Sequence, residues 1–233
     1  MISREHYLTW QPDTSGAYAR IGRFLAPYGL RLPDHTVYTR KYTGFHVVEE
    51  TYNASAGYFG SSWELHATGF VPADRFTSAG PRESGGVVYG EHSLGDDSGA
   101  IGLQARLGRS SGSDRYMGGS VAKWYFSGLE LMVQGEANLI HQVFDATASP
   151  SRTQLATYLG VSHWPTQGLM LTGAFERFDS DLSTSATFRD AFRAEAQLFP
   201  WAHWELHALT KLEWQGEYQA PSILALLMLH YYL

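Results

Sequence analysis

Along most of the chain, apolar and polar side chains alternate residue by residue. In the stretch HWELHALTKLEW, Trp204, Leu206, Ala208, Thr210, Leu212 and Trp214 fall on one side of a two-residue period; His203, Glu205, His207, Lys211 and Glu213 fall on the other. Successive side chains of a strand point to opposite faces, so this pattern predicts a strand with one oily and one wet face. The same reading holds for SWELHATGFV, where Trp63, Leu65, Ala67 and Val71 oppose Glu64, His66 and Thr68. It holds for LELMVQGEANLI, with Leu129, Leu131, Val133, Ala137 and Leu139 against Glu130, Gln134, Glu136 and Asn138. In TQLATYLGV, Leu155, Thr157, Leu159 and Val161 oppose Gln154, Tyr158 and Gly160; in FRDAFRAEAQLF, Phe188, Phe192, Ala194, Ala196 and Leu198 oppose Arg189, Arg193, Glu195 and Gln197.

These segments run ~10 to 12 residues, longer than the ~5 to 6 of an ordinary strand and close to the ~9 to 11 that cross a bilayer when tilted. Their connections alternate as well. Tight turns at Pro12–Gly16, Phe59–Ser62, Ser127–Gly128, Trp164–Gly168 and Pro200–His203 are interleaved with longer polar loops at Leu25–Gly44, Pro72–Gly85, Phe144–Arg152 and Ser180–Ala186. Short turns on one side and long loops on the other mark an outer-membrane barrel. The fold expected is therefore all-β, an antiparallel transmembrane β-barrel forming one domain over residues 1–233, with no linker or domain boundary.

Composition narrows the function. The longest apolar run, ILALLML, is far short of the ~18 residues a spanning helix needs. A net charge of -6, with scattered Lys and Arg, gives no basic patch for nucleic acid. There is no Cys, which removes disulfides, thiolate metal sites, haem attachment through CxxCH and cysteine nucleophiles. The start, MISREHYLTW, has no basic segment followed by an apolar one and so no visible secretory signal.

The last strand, SILALLMLHYYL, places Ile223, Ala225, Leu227, Leu229, Tyr231 and Leu233 on one face. It resembles the C-terminal signal by which bacterial outer-membrane barrels are recognised for assembly, with Leu233 where an aromatic residue is usual. Counting back gives about thirteen strands against the even number of a bacterial single-chain barrel. The expectation is a barrel of 14 to 16 strands lacking one to three at its N-terminal end.

If lipid covers the oily face, the charged face lines an interior. Its candidate pore-lining residues are Arg20, Glu64, His66, Arg106, Arg115, Lys123, Glu130, Gln134, Glu136, Glu176, Arg189, Arg193, Glu195, Glu205, His207, Lys211 and Glu213. Both signs are present, which argues for weak charge selectivity, and neighbouring opposite charges pair across strands. Aromatic residues near strand ends, Trp63, Trp124, Trp164, Trp201, Trp204, Trp214 and Tyr231, with Tyr58, Tyr116 and Phe126, fit the girdles at the membrane-water interfaces. In the loop PYGLRLPDHTVYTRKYTG, Arg31, Asp34, His35, Arg40 and Lys41 are candidates for a segment that folds into the pore and constricts it. His203, Glu205 and His207 share a face at ~6.5 to 7 Å intervals, too far apart to chelate one metal ion. No His, including His141 and His163, is tied to a nucleophile by a recognisable spacing. No cofactor, metal site or catalytic residue is expected.

In REHYLTWQPDTSGAYARIGRFLAPYGL, the strand, tight turn and strand ending in Gly22-Arg23-Phe24, followed by Pro27-Tyr28-Gly29, resemble a segment of bacterial porins of the phosphate-selective O and P type. That resemblance implies a sixteen-stranded, often trimeric pore with loops folded into the lumen. The family's ladder of anion-binding Arg and Lys matches no individual positions here. The function expected is passive diffusion of small hydrophilic solutes or ions through a bacterial outer membrane, with lipid as the partner outside. Two alternatives stand beside it: a barrel sheathing a partner such as a periplasmic multihaem cytochrome, and an outer-membrane hydrolase.

Overall fold

The computed structural model describes residues 5–32, 34, 36–44, 51–72, 82–95, 98–145, 150–216 and 220–232. In chain order its strands are β1 (His6–Trp10), β2 (Gly16–Phe24), β3 (Thr51–Phe59), β4 (Trp63–Pro72), β5 (Ser84–Leu94), β6 (Gly99–Arg109), β7 (Ser113–Phe126), β8 (Leu131–Phe144), β9 (Arg152–Thr166), β10 (Leu169–Asp179), β11 (Phe188–Trp201), β12 (Trp204–Gln215) and β13 (Ser222–Tyr231). One short helix, α1 (Tyr38–Lys41), lies between β2 and β3.

All thirteen strands belong to one sheet in sequence order. The consecutive pairs are antiparallel. Among the described residues, β1 pairs only with β2 and β13 only with β12. A meander of this kind needs no crossovers, and tight turns suffice to reverse the chain.

The two faces of the sheet are solvated in the reverse of the usual way. Leu103, Leu107, Phe192, Ile223, Leu227 and their outward neighbours are exposed, whereas Gln104, Arg106, Asn138, Glu176 and Arg193 are buried. Along β12 the alternation is strict from Trp204 to Lys211, with Glu205, His207, Leu209 and Lys211 buried between exposed neighbours. No second sheet covers the polar face among the described residues. That face is buried because the sheet curls about the described part of residues 25–44 (25–32, 34 and 36–44), which touches β4, β5 and every strand from β7 to β12 from the same side.

The Gly22-Arg23-Phe24 segment has a local reason for its glycine. Gly22 sits at φ +141, and a Cβ there would lie 2.4 Å from the His6 carbonyl oxygen and 2.6 Å from the Tyr7 Cα. Only glycine lets β1 pair this closely with β2.

Candidate functional site

The interior is organised by residues 25–44. Their apolar side chains form small cores with inward apolar residues of the wall: Ala26 and Tyr28 with Val87, Met117 and Ile140; Val37 with Tyr158 and Ala174; Tyr38 with Ala156, Phe178 and Ala191. Tyr42 stacks on Phe178 with ring centroids 3.7 Å apart. These wall positions interrupt the polar inward pattern, so each local exception marks where the loop lies against the wall.

Buried polar groups complete the attachment, as they must when taken from water. The Leu30 backbone N–H donates to Glu136 Oε2 at 3.1 Å, and Glu136 Oε1 accepts from Gln104 and Asn138. Gly29, at φ +63, makes this approach feasible, since a Cβ there would lie 2.5 Å from Glu136 Oε1. Tyr28 donates its hydroxyl to Asn138 Oδ1 at 3.0 Å. Burial and the Glu136 carboxylate raise the pKa of that phenol, while Arg106 opposes them.

At the start of α1, the Tyr38 backbone N–H donates to Glu176 Oε2 at 2.8 Å, and the Tyr38 hydroxyl donates to Glu213. Burial and that acceptor raise the phenol pKa of Tyr38. Lys211 donates to Glu176 at 3.1 Å and to the Thr36 carbonyl at 3.0 Å, with its ammonium 3.9 Å from the centre of the Tyr38 ring. Arg193 is the hub, pairing with Glu176 at 2.9 Å, Glu195 at 2.8 Å and Asp34 of the loop, and donating to the Thr36 hydroxyl at 2.6 Å. Burial pushes the Asp34 carboxyl upward, but Arg193 and the Thr36 N–H outweigh it and hold it below its ordinary value. Arg40 is buried and donates Nε to the Leu32 carbonyl, and desolvation lowers its pKa.

Other inward charges are paired as well, mostly within the wall and in the case of Glu64 with Arg31 of the loop. Glu83 binds Arg106 at 2.6 Å and Arg115 at 3.2 Å. Glu91 binds Lys123 at 2.7 Å, Glu64 lies 3.6 Å from Arg31, and Glu213 lies 3.6 Å from Arg189. His207 approaches Glu195 at 3.2 Å, while His230 and Tyr232 bind Glu205. His66 is held between Tyr18 and Glu64. Arg20 donates to Thr9 and lies over the Tyr7 ring, and Gln134 is half-buried on the inward face of β8. Lys41 lies over the Tyr42 ring, and His35 and Leu233 fall outside the described residues.

Two expectations need correction. Glu130 is not on the wall: it occupies a left-handed position, φ 47, in the turn after the 3-10 segment Ser127–Leu129, where Tyr125 binds it. Trp164 does not join the outward aromatic row. It shares the strand parity of inward Ser162 and packs edge-on against Tyr125 beside the same turn. Trp63, Trp124, Trp201, Trp204 and Tyr231 are exposed on the outer side, Trp63 stacked with Tyr58 and Trp204 packed on Tyr231; Trp214 is half-buried against Phe192.

The sequence reading left Glu83, Glu91 and Gln104 unassigned, and it put Asn138 on the polar face without counting it among the pore-lining residues. Asn138 is in the alternating run of β8 and was legible as inward. Glu91 follows the glycine-rich start of β5, SGGVVYG, which blurs a period of two. Glu83 precedes β5 in a stretch read as a solvated loop.

The fold is that of a porin-type barrel wall, with an apolar outer surface, a charged inner surface and a loop laid inside. No known sequence family matches the chain, and no curated protein matches it. Solved structures do. An anion-selective porin from Comamonas acidovorans aligns with a TM-score of 0.69 at 11% identity, over 93% of this chain and 74% of that one. The outer membrane channel DcaP of Acinetobacter baumannii aligns with a TM-score of 0.66 at 10% identity, over 92% and 72% of the two chains. A bacterial polysaccharide outer membrane secretin aligns with a TM-score of 0.56 at 10% identity, over 97% and 78%. At these identities the likeness is one of fold. The phosphate-selective O and P resemblance rests on the short Gly22 to Gly29 segment alone.

Proposed function

We propose that this chain forms the wall of a bacterial outer-membrane channel through which small hydrophilic solutes or ions diffuse passively. The observation that carries the reading is the inverted solvation of the sheet. Large apolar side chains cover the outer face, and charges linked to a folded-in loop fill the inner one. In water such an outer surface is an aggregation hazard; in a bilayer it is the surface that lipid covers. The residues lining the solute path in this reading are the solvent-accessible ones of the inward face, with Arg31 and Lys41 on the constricting loop, while Asp34 and Arg40 hold that loop in place.

Among the described residues β1 and β13 each have one strand partner, which fits the same account. Backbone groups facing hydrocarbon require partners, so a spanning sheet has to close. Additional strands between these edges would bring the count to the even number of a bacterial barrel. A trimeric assembly belongs to this proposal as well, resting on the family resemblance. Solute selectivity is weak in this reading because most inner charges are matched by a neighbour of opposite sign. A sheath around a protein partner is disfavoured, since residues 25–44 occupy the space that such a partner needs.

The test is planar-bilayer conductance of the purified full-length protein. Stepwise ohmic currents are expected. A protein that inserts and gives no current is not a diffusion channel.

A further inference from the structure

The inner charges fall into shut and open groups. Arg193 and Glu176 have fully buried side chains, and those of Arg106 and Glu83 are 3% and 4% exposed. Other pairs keep contact with the open interior: Arg31 at 48% with Glu64 at 27%, Lys123 at 39% with Glu91 at 11%, and Arg189 at 35% with Glu213 at 24%. The first two pairs form a connected unit. Glu64 of β4 and Glu91 of β5 stand directly opposite in register on the same face, an arrangement that is unfavourable unless each carboxylate is neutralised. Each receives its cation from elsewhere. Arg31 reaches Glu64 from the loop, and Lys123 reaches Glu91 from β7, over the intervening strand where Gly102 faces Glu91 without a side chain.

The contacts are also unequally made. Lys123 lies 2.7 Å from Glu91, whose other oxygen accepts from the Tyr89 hydroxyl at 2.5 Å. Arg31 stays 3.6 Å from Glu64, beyond hydrogen-bond length, with its guanidinium 5.8 Å from the Tyr89 ring centre and its own backbone at φ 54. Glu64 is also approached by His66 Nε2 at 3.3 Å. An incoming ammonium group can therefore make a better hydrogen bond to Glu64 than Arg31 does, leaving Arg31 free for a carboxylate.

Resting on the channel reading, we propose that Arg31, Glu64, Glu91 and Lys123 form a transit site for small dipolar solutes, those carrying an ammonium and a carboxylate a few bonds apart. The solute enters by exchange, its ammonium taking a glutamate and its carboxylate taking the released Arg31 or Lys123. A simple anion meets two adjacent carboxylates, a simple cation meets two adjacent cations, and a neutral solute gains no charged contact. One protein ion pair is broken for the two contacts the solute makes, and both solute charges give up water to make them, which keeps binding weak enough for release.

The experiment is liposome swelling with the full-length protein, comparing β-alanine with glycerol, a neutral solute of similar size. In E64Q/E91Q the flux ratio of β-alanine to glycerol should fall about threefold, the scale of exposed charged contacts. R31Q, which changes the loop and leaves the strands intact, should lower the same ratio. The exchanged pair E91K/K123E should retain it, because the unit still carries two charges of each sign. An unchanged ratio in both E64Q/E91Q and R31Q overturns the proposal. So does an equal loss of flux for propionate or ethylammonium, which would show ordinary charge selectivity. If the unmodified protein admits neither β-alanine nor glycerol, the channel reading itself fails, an outcome distinct from swelling that is indifferent to the variants.

Discussion

The charges gathered on β10, β11 and β12 and those on β4, β5 and β7 are chemically alike, yet they differ in what they hold. Around Arg193, whose side chain is fully buried like that of Glu176, the Lys211 ammonium and the carboxylates of Glu195 and Asp34 keep only 5%, 13% and 15% exposure, and the cluster is bonded to the loop through Asp34 and Thr36. Around Glu64 and Glu91, the partners are half-exposed and one contact is longer than a hydrogen bond. An ion pair shut away from water is a fastening, because removing one member leaves an uncompensated charge. One in contact with water contributes little to stability and is exchangeable. The lesson is that charge on an inner face does not by itself identify the solute path; access to solvent separates anchors from path.

The sharpest break in this contrast is Arg193→Ala. It removes the cation that faces Asp34 and leaves buried Glu176 with Lys211 alone of its two cations, and should destabilise the loop attachment by about 3 to 5 kcal/mol. The expected readout is a lower temperature for the heat-induced shift in gel migration, with larger and noisier single-channel steps as the loop leaves the wall. An unchanged transition would mean that Arg193 does not fasten the loop.

Acid should act on the same cluster. The Asp34 carboxyl is held below its ordinary value, so its contribution is complete above the ordinary aspartate pKa of about 3.9 and is lost as pH falls through its own depressed value. Conductance noise should therefore be flat from about pH 7 to pH 5 and rise only below about pH 3.9. In Asp34→Asn that acid-dependent rise should be largely absent, at a cost of about 1.5 to 3 kcal/mol in loop anchoring at neutral pH. A rise centred near neutral pH would assign the effect to another group.

Tyr38→Phe removes the hydroxyl that donates to Glu213 while leaving the backbone N–H on Glu176 and the ring under Lys211. A loss of about 1 kcal/mol is expected, measured as a small decrease in the gel-shift temperature. The least costly change is Lys123→Gln in the open unit. It should alter stability by less than about 1 kcal/mol and be visible chiefly as a change in relative ion permeability that fades at high salt. A loss as large as that of Arg193→Ala would erase the distinction between the two groups.

Much of the wall was legible in the sequence. Period-two alternation located β4, β8, β9, β11 and β12, and the inward parity of Glu64, Glu136, Arg193, Glu205 and Lys211 follows from it. The loop was recognisable as long, polar and rich in charge. Its attachments were not, because Leu30 to Glu136 and Tyr38 to Glu213 join residues 106 and 175 positions apart. Such partners are decided by curvature and register, which no local pattern encodes. One hint was present: Val87, Met117, Ile140 and Phe178 are apolar at inward positions, and each lies beneath a loop residue or its packing neighbours. Glu130 and Trp164 were misplaced for a local reason. At Glu130 the alternation continues in sequence through the turn between β7 and β8 while the backbone leaves the strand conformation; Trp164 was assigned by its place near a strand end, although within β9 it shares the inward parity of Ser162.

The central claim is that this sheet is the wall of a water-filled pore narrowed by residues 25–44. Its most direct test is single-channel conductance in planar bilayers, comparing the full-length protein with its Arg193→Ala form. The account predicts stepwise ohmic current from the first and larger, noisier steps from the second. Correctly inserted protein that carries no current, or steps identical in the two forms, would contradict it.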